Sequence, residues 1–196
     1  MATNCTNAAL YESLEFCKGK VVLPGIRTRI YFISKRDIVK WPKLPETAAE
    51  NMSELATYDG SFTLAGDKKW KFIDLVNNKG KIESESQGDH PARTFINKIS
   101  IAHPETNEAA TGFAREVNAD DMVYLVQVRN GKFRVIGSEA FPTDSKPKQD
   151  TGEGVTGDFG TTVDVEATDV CPAPYYVGTI ETDEGTINAT TGEPAA

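Results

Sequence analysis

The sequence has few of the residues from which enzymes build metal and nucleophile sites. Its 196 residues include two histidines, His90 and His103, and both precede proline, where histidine is usually a turn residue. The three cysteines, Cys5, Cys17 and Cys171, have no C-x-x-C spacing and are predicted to be free thiols. Neither H-E-x-x-H nor G-x-S-x-G occurs. We therefore expect no catalytic residue, no cofactor and no metal site, and hence a protein that is not an enzyme.

The sequence also lacks a long apolar run. No stretch is long enough to span a bilayer, so no membrane partner is expected. The first twenty residues have neither a basic segment nor a continuous apolar segment, so no signal peptide is predicted. With 39% hydrophobic and 26% charged residues, the composition is typical of one soluble domain, and without a signal peptide the protein is expected to be made in the cytoplasm.

Basic residues are scarce in the last third of the chain. From Glu139 to Ala196 there are two lysines and twelve acidic residues, whereas the whole chain has a net charge of −8. Proteins that bind nucleic acid tightly present basic surfaces to the phosphates. The charge therefore argues against a tight nucleic-acid binder and allows a surface that repels DNA.

The stretch GEGVTGDFG, residues 152–160, contains both G-x-G-x-x-G and D-F-G. The preceding DSKPKQDT is predicted to be a loop, and the following TTVDVEAT alternates like a strand. A phosphate-binding glycine loop needs a helix N-terminus, and a kinase separates the two motifs by most of its catalytic domain. The stretch is therefore predicted to be a mobile glycine-rich loop.

Alternation of apolar and polar residues predicts several short strands. They lie in GIRTRIYFI, in a hairpin formed by WKFIDLVNNKGKIESESQG, in ARTFINKISIA and in TTVDVEAT. A further hairpin, MVYLVQVRNGKFRVIG, turns at Asn130-Gly131, a pair typical of a type I′ turn. One helix is predicted over about 106–117, capped by Thr106.

These elements predict a mainly β (α+β) fold: an antiparallel β-sandwich or barrel with one flanking α-helix, extended loops and terminal arms. The predicted organisation is an N-terminal arm over 1–20 with room for a short helix. The β-sandwich domain follows over 21–180, and a flexible C-terminal tail over 181–196.

Four acids near the glycine-rich loop, Asp158, Asp164, Glu166 and Asp169, could supply oxygen ligands to Ca²⁺. Asp164 and Glu166 alternate along a strand, without the loop spacing of a cation cage. An exposed acidic strand face is therefore the favoured interpretation.

The β-rich layout, the single helix, the polar hairpin, the acidic strand faces and the late stretch CPAPYYVG resemble the major tail tube proteins of long-tailed bacteriophages. The overall character is similar to tail proteins of phages that infect Bacteroidetes. The resemblance covers about residues 20–180 and rests on the layout of the elements rather than on a diagnostic motif.

The resemblance implies a structural virion protein that assembles with itself and with other tail proteins. Subunits would form hexameric rings that stack through their terminal extensions and loops into a tube. DNA would pass through an acidic lumen that repels its phosphates during injection. Glu83 and Glu85, or Asp164 and Glu166, are the candidates for lumen-facing acids, and the sequence leaves open which pair faces the lumen.

Three other functions remain open. The first is another virion component, such as a tail terminator or a capsid decoration protein. The second is a carbohydrate-binding β-sandwich that uses Trp41, Trp70, Tyr175 and Tyr176 as stacking platforms, although Trp70 suits a core position better. The third is an enzyme with clustered carboxylates such as Glu83 and Glu85, for which a deep pocket and raised pKa values would be diagnostic.

Overall fold

A computed structural model describes residues 11–45, 49–154, 157 and 159–195. The described chain forms fifteen strands, one α-helix and two short 3₁₀ helices, Lys35–Asp37 and Glu54–Ala56. The elements are β1 (Ile26–Ser34), β2 (Ile38–Lys40), β3 (Thr57–Tyr58), β4 (Thr63–Leu64), β5 (Lys71–Asp74), β6 (Lys81–Gln87), β7 (Thr94–His103), α1 (Glu108–Val117), β8 (Met122–Val128), β9 (Phe133–Ile136), β10 (Thr143–Thr151), β11 (Phe159–Asp169), β12 (Tyr175–Tyr176), β13 (Thr179–Thr182), β14 (Gly185–Asn188) and β15 (Glu193–Pro194).

Two large sheets form the sandwich. One has six strands in the order β3-β12-β9-β8-β1-β5, and it is antiparallel except for the parallel pair β3 and β12. The other has four antiparallel strands in the order β10-β11-β7-β6. Smaller sheets join β13-β14-β15 and β2-β4. The predicted class, a β-sandwich with one flanking helix, is confirmed.

An aliphatic core lies between the two large sheets. It is built mostly from β-branched side chains at alternating positions, which pack well on a pleated surface. Val117 at the end of α1 also belongs to it. The principal members are Ile30, Tyr124, Val126, Ile136, Ile99, Ile101, Val163 and Val165.

An aromatic core covers the opposite face of the six-stranded sheet. Phe62 lies at its centre, with ring centroids 5.2 Å from Trp41, 5.4 Å from Trp70 and 5.2 Å from Tyr176. The six-stranded sheet is therefore buried on both faces, which explains why six of the seven residues of β8 are buried.

The N-cap of the helix lies one residue later than predicted. Asn107, with extended backbone angles, accepts a hydrogen bond from the Ala110 N–H through Oδ1 at 2.9 Å, so Asn107 and not Thr106 is the N-cap. Ala110 and Val117 are buried, and Phe113 packs against Phe32 with their centroids 5.0 Å apart.

The predicted hairpin between β5 and β6 is wrong. Strand β5 pairs with β1 in the six-stranded sheet, whereas β6 pairs with β7 in the four-stranded sheet. The turn at Asn78, which has a φ of +63°, carries the chain from one sheet to the other. The hairpin of β8 and β9 is confirmed, but only Gly131 of the Asn130-Gly131 pair has positive φ, so the turn is not type I′.

The glycine-rich stretch connects two antiparallel strands. DSKPKQDT, predicted as a loop, lies in β10, where Thr143 and Ser145 are buried toward the core. Strand β11, not a helix, follows the glycines, so the phosphate-loop geometry is missing from the described part of this stretch. Val155, Thr156 and Asp158 lie outside the described residues.

The predicted flexible tail is wrong for residues 181–194. They contribute to the β13-β14-β15 sheet, and Ala189, which follows β14, is fully buried in the aromatic core together with Ile180 of β13. The Trp70 N–H donates to the Glu181 carbonyl at 2.9 Å, which ties this sheet to the middle of the chain. Apolar burial explains why a segment of polar composition is ordered.

Residues 11–25 form no helix or strand, so the short helix is not found in the described part of the N-terminal arm. Residues 1–10, including Cys5, lie outside the described residues. Within the described ranges, no helix is both long and apolar enough to cross a membrane.

Candidate functional site

Strand register brings all four candidate acids to one surface. On the outer face of the four-stranded sheet, Glu83 is opposite Lys98, and Lys98 is opposite Glu166. We call this surface the polar sheet face. Its charged members are Lys81, Glu83, Glu85, Lys98, Asp144, Lys146, Lys148, Asp150, Asp164 and Glu166. The two candidate pairs are therefore parts of one surface.

Lysines offset most of the negative charge on this face. Lys81 Nζ lies 2.5 Å from Glu83, and Lys98 Nζ lies 3.1 Å from Glu85. Lys146 Nζ lies 2.8 Å from Asp144 and 3.9 Å from Glu166. With six carboxylates and four lysines, the face is of mixed charge rather than the strongly acidic surface that was expected.

The ion pairs shift the ionisation of this face toward its charged forms. The hydrogen bond and charge of Lys81 lower the pKa of Glu83. Glu85 raises the pKa of Lys98, and Asp144 raises that of Lys146, in both cases through a hydrogen bond first and charge second. A general acid needs a raised carboxyl pKa, whereas the pKa of Glu83 is lowered, so Glu83 does not meet this requirement of the carboxylate-enzyme alternative.

The three described acids that were considered as alternative calcium ligands are not brought together. Asp164 and Glu166 face outward from β11, whereas Asp169 is buried on its inner face, and Asp158 lies outside the described residues. Among the residues that can be described, no cluster of three or more His, Cys, Asp or Glu side chains could hold a metal ion.

Asp169 is an unusual carboxyl group whose burial sequence reasoning did not predict. It is 4% exposed; its Oδ1 accepts a hydrogen bond from the Val170 N–H at 2.6 Å, and its Oδ2 has no partner among the described residues. Burial raises its pKa to about 6. Burial also raises the pKa of the neighbouring Cys171 thiol to about 11, as expected for an unreactive cysteine.

Three of the four proposed carbohydrate platforms are core residues. Trp41, Trp70 and Tyr176 are buried in the aromatic core. Tyr175 is half-buried, and the Arg134 guanidinium already lies 4.4 Å from the centroid of its ring. These residues therefore offer no open aromatic surface for a sugar ring.

A second unusual surface is the exposed arm, which we define as residues 11–25. Every residue of the exposed arm is exposed to solvent. Its large apolar side chains have exposed fractions between 58% and 91%; they are Tyr11, Leu14, Phe16, Val21, Val22 and Leu23. Exposed apolar clusters of this kind usually mark a surface that a partner covers. The density of apolar residues in this segment was the signal that could have revealed the surface. The sequence pattern instead predicted a short helix there, which would pack within the subunit.

Comparisons of the chain with protein-family models, with curated proteins and with solved structures return no match. The polar sheet face and the exposed arm are therefore the two surfaces that bear on function.

Proposed function

We propose that this protein is a self-assembling structural subunit, of the kind represented by the major tail tube proteins of long-tailed bacteriophages. In this proposal, subunits form hexameric rings in the virion tail, and the rings stack into a tube that conducts DNA. The observation that carries it is the exposed arm, whose large apolar side chains are 58% to 91% exposed in the described part of the subunit. Burying them against another subunit would be favourable, by about 25 cal/mol per Å².

Two open sheet edges also support assembly. Strands β6 and β10 each pair with a single neighbour in the four-stranded sheet. Unpaired strand edges present backbone groups that can pair with another chain. In a ring, edges of neighbouring subunits would join the four-stranded sheets side by side, with the polar sheet face on the inside.

The mixed charge of the polar sheet face changes the proposed lumen mechanism. A strongly acidic wall would repel DNA, whereas this wall would present lysines already paired with carboxylates. Binding of DNA depends on basic groups that replace counterions on the phosphates. Glu83, Glu85 and Glu166 would therefore act by forming ion pairs with the lysines. Few lysines would then be free to bind the phosphates of the passing DNA.

Electron microscopy of the purified protein across a concentration series tests the assembly. We expect hollow rings or tubes at high concentration, because the exposed arm and the open edges are then bound to other subunits. Single rings without tubes would instead support a terminator-like component. A protein that stays monomeric at every concentration, and also when tail components are added, would contradict the proposal.

Charge reversal tests the lumen. Replacing Glu83 and Glu85 by lysine should leave free cations on the polar sheet face, and assembled particles should then retain DNA in a filter-binding assay at low salt. The same change at Asp67 and Glu153, which are exposed elsewhere, is the matched control and should leave DNA retention low. Equal DNA retention by both variants would contradict the proposal that the polar sheet face lines the lumen.

A further inference from the structure

A groove opens beside the exposed arm. It has a volume of about 740 Å³ and lies between the arm's last residues, β6 and the hairpin of β8 and β9. We call it the basic groove. Its floor includes the aliphatic side chains of Ile26, Ile82 and Val128, and Tyr175 forms part of its wall. A cavity of this size with an apolar floor can hold a short peptide segment.

The charged side chains that line the basic groove are all positive: Lys20, Lys81, Lys132 and Arg134. Lys81 is paired with Glu83 on the polar sheet face. Within the described ranges, Lys20, Lys132 and Arg134 have no carboxylate within ion-pair distance. Three positive charges beside an apolar floor therefore favour an occupant that is both acidic and apolar.

Hydrogen bonds hold the Arg134 guanidinium in a fixed position at the basic groove. Its guanidinium donates hydrogen bonds to the Ala173 carbonyl at 3.2 Å and to the Tyr175 hydroxyl at 2.8 Å. These partners are neutral, so the charge of Arg134 remains uncompensated. A fixed cation loses little side-chain entropy when it binds an anion.

The exposed arm contains a segment with the complementary chemistry. Residues 11–16, YESLEF, carry two acids, Glu12 and Glu15, and three exposed apolar side chains, Tyr11, Leu14 and Phe16. In its own subunit this segment lies at Met52, where the Glu12 N–H is 3.2 Å from the Met52 sulfur, and it does not line the basic groove.

We infer that the basic groove of one subunit binds residues 11–16 of a second copy. This inference rests on the proposed function, because it supplies a specific contact for the self-assembly. Glu12 and Glu15 pair with the lysines and Arg134 of the groove, while Leu14 and Phe16 cover its aliphatic floor. Both partners of this contact belong to the same sequence, so the contact can repeat from copy to copy.

A charge-swap series tests the inference by sedimentation velocity of the full chain. The arm variant is Glu12→Lys with Glu15→Lys, and the groove variant is Lys20→Glu with Lys132→Glu, which leaves Arg134 and its structural bonds intact. Each variant alone should weaken self-association about tenfold or more, because like charges then meet. The chain that carries all four changes should regain association, since the pairs are restored with opposite sign.

The matched control is Lys40→Glu with Lys43→Glu, two exposed lysines outside the groove that give the same change in net charge as the groove variant. We expect the control to associate like the wild type. If the wild type associates and neither the arm variant nor the groove variant changes this, the inference fails while the proposed function stands. Recovery in the four-change chain cannot come from repaired folding, because each change is at an exposed residue.

If the wild type stays monomeric, that result counts against the proposed function. A peptide titration then tests separately whether the basic groove binds residues 11–16. A fluorescent peptide of residues 11–16 is added to the full chain, and its anisotropy is followed at rising salt. Binding that the groove variant and high salt abolish would support the basic groove as the site. No binding, or binding equal to that of the peptide with Glu12→Lys and Glu15→Lys, would overturn the inference.

Discussion

The two cores of this protein are built from different side chains and by different parts of the chain. The aliphatic core lies between two regular sheets and takes its Ile and Val residues from strands at alternating positions. The aromatic core lies between a sheet and irregular segments, and Trp41, Phe62 and Trp70 enter it from loops and short connections. Flat pleated surfaces suit β-branched residues, whereas large rings fill the uneven space under a loop.

The two cores differ in how their stabilising contacts are distributed. In the aliphatic core many small contacts are shared among strands, so the loss of one methyl group is a local event. In the aromatic core a few rings hold together segments that are distant in sequence. A change in one ring should therefore disturb more of the structure than a change in one aliphatic side chain.

Replacing Trp70 by alanine should give the largest effect. Trp70 is 1% exposed, its ring meets that of Phe62 edge-on with centroids 5.4 Å apart, and its N–H donates to the Glu181 carbonyl of β13. We expect a loss of about 4 kcal/mol in the free energy of unfolding, measured by urea denaturation. Trp70→Phe is the control and should recover more than half of the loss. A loss below that of Ile101→Val would contradict the comparison.

Replacing Asn97 by leucine should be the next largest change. Asn97 is fully buried; its Nδ2 donates to the Cys171 carbonyl at 3.1 Å, and its Oδ1 accepts from the Ala173 N–H at 2.9 Å. Leucine leaves both backbone groups unpaired, which should cost about 3 kcal/mol. Denaturant unfolding measures the loss, and hydrogen exchange at Ala173 shows whether that amide is the group exposed. An unchanged midpoint would mean that water replaces the side chain.

Replacing Asp169 by asparagine should stabilise the protein, and only at higher pH. The pKa of Asp169 is about 6 in the folded protein and lower when unfolded, so the folded state holds a proton that the unfolded state releases. Stability of the wild type therefore falls as the pH rises from about 4 to 6. The variant should gain at most about 3 kcal/mol at neutral pH. The gain should vanish below about pH 4 in urea titrations. A gain that does not depend on pH would contradict this assignment.

The smallest effect should come from Ile101→Val in the aliphatic core. Ile101 is fully buried between the two large sheets, and the change removes one methylene group. We expect a loss of about 1 kcal/mol in the free energy of unfolding, because valine keeps the β-branched shape that a strand favours. A loss as large as that of Trp70→Ala would show that the two cores do not differ in the way described.

The aliphatic core could be predicted from the sequence because its signal is local. Alternation in ARTFINKISIA and TTVDVEAT identifies the strands and also the inward side chains, Ile99, Ile101, Val163 and Val165. The aromatic core and the C-terminal sheet could not be predicted in this way. The burial of Ile180 and Ala189 depends on pairing with distant residues such as Trp70, which no local pattern encodes.

The candidate site was predictable in its parts and not in its arrangement. Period two placed Glu83 and Glu85 on one strand face, and Asp164 and Glu166 on another. That Lys98 lies between Glu83 and Glu166 follows only from the register of three strands. The failed hairpin of β5 and β6 has the same cause, since the turn at Asn78 does not specify which sheet receives the next strand.

The burial of Ile180 and Ala189 against Trp70 has a consequence for how the protein is made. During synthesis the strands of the aliphatic core leave the ribosome before residue 180 does, because Ala173 is the last residue of that core in sequence order. Domains commonly begin to fold while synthesis continues. The nascent chain can thus assemble one side of its central sheet early, while Trp70 and Phe62 stay uncovered until translation reaches the last strands. A product of premature termination would carry these rings on its surface, where chaperones and proteases recognise them.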